Sequence, residues 1–184
     1  MASVIVRQAK GKGKGAFAAR DFAEGEIVLH NDITRLRRYS VGEMGRLITE
    51  GKLRKEDCEH CDYVGRGKYV LDFSPLSYIN HSCEPNTWCE FKILGKQELI
   101  ALRPIRKGEE ITYDYSLQAI DCLGGKNPWK MRCRCGSRNC RKVIQGDFFR
   151  LPKSVQREKL AHTPTWLRRK YHARIGALRH RAGI

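Results

Sequence analysis

Acidic side chains are scarce in this chain of 184 residues, where 20 Asp and Glu stand against 36 Lys and Arg for a formal net charge of +16. An excess of that size points to a polyanionic neighbour, either nucleic acid or an acidic protein surface. Long apolar runs are missing as well. The apolar stretches are short and interrupted by charge, and the N-terminus lacks the basic-then-apolar layout of a secretory leader. The expectation is a soluble protein that stays inside the cell and meets no membrane. Internal repeats and low-complexity linkers are absent too, so the chain reads as one domain with a real hydrophobic core and at most a small appendage. A phosphate loop is excluded, because Gly11-Lys12-Gly13-Lys14-Gly15 has no Gly-Lys-Ser/Thr ending and opens no helix.

The positive charge is concentrated at one end. From Arg141 onward twelve Lys or Arg face only Asp147 and Glu158. Two readings of that tail stay open, a docking surface for a polyanion and a solvated basic helix. Eight cysteines would suit a secreted disulfide framework, but Cys133-x-Cys135-x4-Cys140 sets thiols too close for three independent bridges. That spacing suits a tetrahedral thiolate zinc site in a reducing compartment. Cys58-x-x-Cys61, with His60 between, is a competing half-site without a second nearby pair. Cys89 and Cys122 read as buried thiols.

Residues 3–7, 26–29, 68–73 and 97–103 read as short strands, and Pro104, Gly108 and Pro128 punctuate the second half. Ser40-x-x-Glu43 is a capping-box pattern ahead of Met44, Leu47 and Ile48, with Gly51 as a stop, so 41–50 is expected to be helical. Near the C-terminus, Thr163 as N-cap and Pro164 at the first helical position precede Trp166, Leu167, Tyr171, Ile175 and Leu178 at three- and four-residue spacing. An amphipathic basic helix is expected there.

Three pieces then occur in order: Tyr78-Ile79-Asn80-His81-Ser82-Cys83-Glu84-Pro85-Asn86, Glu109-Glu110-Ile111-Thr112-Tyr113-Asp114-Tyr115, and the cysteine cluster. With Gly13-Lys14-Gly15-Ala16-Phe17-Ala18 and Gly25-Glu26 before them, they resemble the SET-domain protein lysine methyltransferases over about residues 5–146. Alone, Ile111 to Tyr115 would be an ordinary half-buried strand. The resemblance implies a mainly β (α+β) fold of small sheets with a pseudoknot that threads Asn80-His81 beneath the Tyr115 segment. It divides the chain into a SET domain over 1–121 with an insert at about 33–68, a post-SET zinc segment over 122–146, and a basic helical extension over 147–184.

The resemblance also implies a chemistry. S-adenosylmethionine would be the methyl donor, contacted by Lys12, Lys14, Phe17, Asn80, His81 and Tyr115. Tyr115 and Tyr113 would be the catalytic pair, Tyr115 orienting amine and methyl, and Tyr113 limiting the product to monomethyl-lysine. Tyr78, Tyr113 and Trp129, with Met131 beside them, would line the lysine channel. Cys83 would complete a structural zinc site with Cys133, Cys135 and Cys140. Ser77 departs from the pattern, since many members carry Arg there. The implied partner is a lysine-containing protein, histone-like or another basic chromatin or nucleoid protein, in the nucleus or the cytoplasm according to the cell type; nucleic acid could bind the C-terminal helix. A cationic enzyme attracts a cationic tail only if acids line the groove, and Asp72, Glu84, Glu90 and Asp121 are the local candidates. The alternative is a non-catalytic SET-like module that binds nucleic acid or chromatin.

Overall fold

The computed structural model describes residues 2–117 and 130–180. Val4–Ala9 (β1) and Gly13–Ala18 (β2) form an antiparallel hairpin in register from Val4↔Ala18 to Ala9↔Gly13. Its turn places Gly11 and Gly13 at φ 72° and 74°, a region that costs other residues strain. Alternation along β2 buries Ala16 and Ala18 in the core and sends Gly15 and Phe17 to the other face.

Ile27–Asp32 (β3) is followed by the helix Val41–Thr49 (α1), the hairpin of Cys61–Gly65 (β4) and Lys68–Leu71 (β5), and the two-residue strand Asn80–His81 (β6). Thr87–Ile93 (β7) and Lys96–Ala101 (β8) come next, β8 lying between β3 and β7 in a three-stranded antiparallel sheet. Helix α1 starts where the sequence placed it, with the Ser40 hydroxyl accepting from the Glu43 N–H at 3.1 Å. The Glu43 carboxylate turns to Arg37 instead of back to the cap.

Thr112–Tyr113 (β9) pairs in parallel with β6, Asn80 opposite Thr112 and His81 opposite Tyr113. A parallel pair between segments 32 residues apart requires a crossover, and this one sets Asn80-His81 directly beside the tyrosine segment. Asn86 reinforces the crossing, its side chain accepting from the Thr112 N–H at 2.8 Å and donating to Glu110 O at 2.9 Å. Lys130–Arg132 (β10) and Val143–Gln145 (β11) bracket the cysteines as a small hairpin. The result is the expected mainly β arrangement of several small sheets with few helices. Its core is built by Ala16, Phe22, Ile79, Phe91, Leu99, Ile105 and Ile111.

The C-terminal helix differs from expectation. It is three pieces, Lys153–Lys159 (α2), Thr165–Lys170 (α3) and His172–His180 (α4). Thr163 is fully buried and its hydroxyl donates backward to Leu160 O, so it caps nothing ahead. The cap comes from the sheet: Glu90 on β7 accepts the Thr165 N–H at 2.7 Å and its hydroxyl at 2.8 Å. Pattern reading looks for caps next door in sequence, and this one lies 75 residues away. Tyr171, at φ −111° and ψ 31°, breaks the remainder in two. Leu167, Ile175 and Leu178 pack with Phe148 and Phe149 in a second core, so the basic extension is docked on the domain. Among the described residues no helix is long and apolar enough to cross a membrane.

Candidate active site and cysteine cluster

Pairing of β6 with β9 brings four groups to one place. Tyr115 donates its hydroxyl to Ile79 O at 2.7 Å, and its backbone N–H donates to His81 Nδ1 at 3.2 Å. Burial, reinforced by the charge of Glu110, raises the Tyr115 phenol to about 12, so it remains a donor. Burial likewise pushes His81 down to about 4, outweighing the nearby Asp114 carboxylate, and the ring is neutral. Tyr113 stacks at an angle on Tyr115, with ring centres 4.9 Å apart.

The glycine turn closes over this pair. Asn80 Nδ2 donates to Lys14 O at 3.1 Å and to Glu110 Oε1 at 2.8 Å, while Lys12 Nζ sits 3.0 Å from Glu110 Oε2. A Cβ at Gly15 would lie 2.8 Å from Asn80 Nδ2 and 2.9 Å from Ala9 Cβ. Glycine is needed there for space, since Gly15 has an ordinary φ.

Two recesses meet at these residues. One, of about 190 Å³, lies between Gly11, His81, Met131 and the cysteine segment. The other, of about 470 Å³, is lined by Lys14, His60, Phe73 and Tyr78, with Glu56, Asp57 and Glu59 among its walls. Lys12, Asn80 and Tyr115 belong to both. The His60 ring packs against Tyr78 and Phe73 at 4.7 and 5.2 Å. Its Nδ1 lies 3.1 Å from the hydroxyl of Ser77.

The sulfurs of Cys83, Cys133, Cys135 and Cys140 lie within 4.8 Å of one another. Cys83 and Cys133 are 3.8 Å apart, and a zinc tetrahedron with Zn–S bonds of about 2.3 Å has S···S edges of about 3.8 Å. The four side chains therefore fit a structural tetrathiolate ion. Burial raises the Cys133 thiol to about 12 and Cys83 in the same direction. Burial also opposes ionisation of Cys135, but the Ser137 hydroxyl and nearby backbone N–H groups win and hold it at about 6. Among the described residues no other group of three or more His, Cys, Asp or Glu converges, so Cys58 and Cys61 stay a half-site. The Cys61 thiol faces Met44 Sδ at 3.6 Å.

The structure thus brings together Lys12, Lys14, Tyr78, Asn80, His81 and Tyr115 along the two recesses, with the cysteines beside the smaller one; Tyr113 stacks on Tyr115 and lines neither recess. Phe17 is set apart: its ring lies under the Arg7 guanidinium at 4.0 Å and lines neither recess. Trp129, Asp121 and Cys122 lie outside the described residues. Cys89 is buried as expected. Two of the expected groove acids are committed elsewhere: Asp72 is buried and accepts from Asn31 and Ser74, and Glu90 holds α3. Glu84 accepts from Asn139 beside the cysteines.

Sequence reasoning passed over Glu110, although it stands inside a quoted motif, and the acids of the turn Lys55–His60. It also passed over the buried pair of Asp114 with Arg141, whose guanidinium grips the carboxylate at 2.8 and 2.6 Å. Arg141 follows the last cysteine directly, and Asp114 stands between the tyrosines. The signal was there as spacing, but nothing in the sequence says that the two meet.

Comparison with known proteins places residues 13–116 on the model of the SET domain. The chain is 30% identical over 150 residues to human histone-lysine N-methyltransferase 2D, covering 76% of this chain and 2% of that protein. It is 32% identical over 147 residues to histone-lysine N-methyltransferase trithorax of Drosophila virilis, covering 72% and 3%. Against histone-lysine N-methyltransferase Su(var)3-9 of Drosophila melanogaster it is 30% identical over 156 residues, covering 77% and 24%. It therefore spans under a quarter of the length of each of these relatives. A crystal structure from Plasmodium falciparum superposes with a TM-score of 0.46 at 20% identity, covering 62% of this chain and 94% of that one.

Proposed function

The chain belongs to the SET-domain family, and from that premise we propose that it is an S-adenosylmethionine-dependent protein lysine N-methyltransferase of histones or another basic chromatin or nucleoid protein. The observation that carries this reading is the shared wall of Lys12, Asn80 and Tyr115 between two recesses. A methyl transfer between two bound partners needs such a meeting point, because its main demand is in-line positioning with water excluded.

When bound in the smaller recess, S-adenosylmethionine supplies a methyl carbon on a sulfonium, reactive enough to need no acid or metal. Asn80 offers its Oδ1 to the donor's ammonium, since its amide nitrogen already serves Lys14 O and Glu110. Lys12 faces the donor's carboxylate. His81 contributes backbone contacts to the adenine, and Gly15 lets the turn approach without a side chain in the way.

On the acceptor side, Tyr78 and the hydroxyl of Tyr115 guide the lysine, with Trp129 as a further wall. An ammonium of ordinary pKa about 10.4 has no lone pair to attack with. Desolvation between aromatic rings, facing a sulfonium, disfavours that charge, so no dedicated base is required. Glu56 and Glu59 supply carboxylates for a basic peptide in a recess of mixed charge, where Lys12, Lys14 and Arg54 also line the wall and Asp57 is paired with Arg54. The Tyr113 hydroxyl narrows the pocket and favours a monomethyl product. In a eukaryotic cell the place of action is the nucleus.

Cys83, Cys133, Cys135 and Cys140 hold one structural zinc, which tethers the 130–145 segment beside the smaller recess. Metal analysis of the purified chain is expected to return one zinc per molecule. Cys135→Ser should lower both zinc content and activity, since one of four thiolates is lost; a metal-free, fully active preparation would refute the structural role. The enzymatic reading is tested by incubating the chain with labelled donor and whole-cell protein, then mapping the modified residue. Label on a lysine is the expected result, and the absence of label from every basic protein leaves the non-catalytic chromatin-binding reading.

A further inference from the structure

His81 touches both halves of the site through its two ring nitrogens. Nδ1 accepts the backbone N–H of Tyr115 at 3.2 Å, and Nε2 lies 3.3 Å from the Cys83 sulfur. A backbone amide can only donate, so Nδ1 carries the lone pair, and the single proton of the neutral ring resides on Nε2, aimed at sulfur. Two acceptors also face the ring: the Asp114 Oδ1 is 3.7 Å from Nδ1, beyond hydrogen-bond reach, and the Tyr113 carbonyl already accepts the Ser82 N–H at 3.1 Å. Both carboxylate oxygens of Asp114 are also engaged by Arg141, and Oδ1 further accepts the Ser116 N–H at 3.0 Å.

Cys83 gains a second donor from Arg141, whose backbone N–H reaches the sulfur at 3.3 Å. Arg141 then returns to the tyrosine segment through Asp114, whose side chain is fully buried between Tyr113 and Tyr115 in sequence. Two arms therefore join the cysteine cluster to the same short stretch, one through an imidazole and one through an ion pair. Of these, only the imidazole contacts the backbone of Tyr115 itself.

We propose that His81 is a positioning residue that couples occupancy of the four-cysteine site to the setting of Tyr115, its ring donating Nε2–H to the Cys83 sulfur and accepting the Tyr115 N–H on Nδ1. A metal-bound thiolate is a stronger acceptor than a thiol, because bonds to an ionised acceptor are shorter and stronger. Loading the cluster tightens the Nε2–H contact, fixes the ring, and so presents Nδ1 to the amide that opens the one-turn helix Tyr115–Leu117. Outer contacts of this kind orient a metal's ligands and also hold the metal. The inference rests on the metal site proposed above and needs no methyl transfer.

The test uses the full chain with its zinc. Nitrogen NMR of labelled histidine is expected to show the His81 proton on Nε2, and cadmium-113 in place of zinc should couple through Cys83 to that proton. His81→Phe keeps a ring of similar size and removes both contacts. With cobalt in the site, its thiolate absorption should persist while release to a chelator quickens about tenfold or more, and the Tyr115 amide should lose protection from hydrogen exchange. His81→Gln, which retains a donor and an acceptor, should recover part of both. A His81 proton found on Nδ1 in the zinc-loaded chain overturns the proposal, as does a His81→Phe chain whose metal release and Tyr115 exchange are unchanged. If His81→Phe does not fold, the position of the proton in the unmodified chain decides alone. A chain that transfers no methyl but shows these signatures keeps the coupling and loses only the enzymatic reading.

Discussion

Tyr115 and Tyr113 are two residues apart with ring centres 4.9 Å apart, yet the two side chains are held differently. The Tyr115 hydroxyl is held by Ile79 O in the wall between the recesses, whereas the Tyr113 ring packs against the main core. Loss of one oxygen should therefore have different consequences at each. Tyr115→Phe removes a donor used chiefly as the methyl moves, so kcat should fall about a hundredfold or more while donor affinity changes little. Single-turnover rates beside equilibrium donor binding would separate the two quantities, and equal losses in both would argue against an orienting role. Tyr113→Phe should instead enlarge the lysine pocket and let an already methylated amine turn toward the donor. Mass spectrometry of the product should show di- or trimethyl-lysine; an active variant with an unchanged methyl count refutes the switch role and leaves methyl transfer standing.

At the scale of an element, strand β2 shows how a local sequence can be read correctly and still hide its reason. Glycines at 11, 13 and 15 look equivalent in the sequence, but of the three only Gly11 and Gly13 use positive φ; at Gly15 it is Asn80, Ala9 and Glu110 that occupy the space of a side chain. Gly15→Ala is then an overpacking change, expected to cost about 1–3 kcal/mol and to push Asn80 from its place. Thermal unfolding and donor binding should both weaken, whereas Gly11→Ala, with open space around it, should strain the turn alone. The strands, the capped helix α1, the cysteine set and the tyrosine segment were legible because each rests on neighbours in sequence or on a motif with fixed order. Partnerships across the fold were not: Glu90 capping α3, Arg141 gripping Asp114, and the acids of Lys55–His60 sharing a recess with Tyr115 each join segments whose separation carries no periodic signal.

Over the whole molecule, positive charge and packing coincide at the C-terminal end, and this changes how the polyanion reading has to be tested. Because Leu167, Ile175 and Leu178 complete a core with Phe148 and Phe149, deleting residues 163–184 would unfold part of the domain along with removing charge. Substitution at exposed positions is the cleaner probe. Lys153, Arg157 and Arg174 surround a recess of about 310 Å³ whose floor includes Phe149 and Leu178, with Arg174 stacked 3.9 Å from the Phe149 ring. Among the described residues no acid lines it, so a chain of phosphates would meet three cations on one face. If nucleic acid docks there, affinity should fall with salt at a slope of roughly 0.9 per phosphate neutralised. Changing all three to Gln should then reduce the slope by between two and three while leaving the melting temperature and donor binding near their original values. Titrations of duplex DNA at several salt concentrations would measure it. An unchanged slope would assign the basic surface to solvation alone, with the helices serving only as the packed outer layer that Glu90 and Trp166 anchor to the sheet.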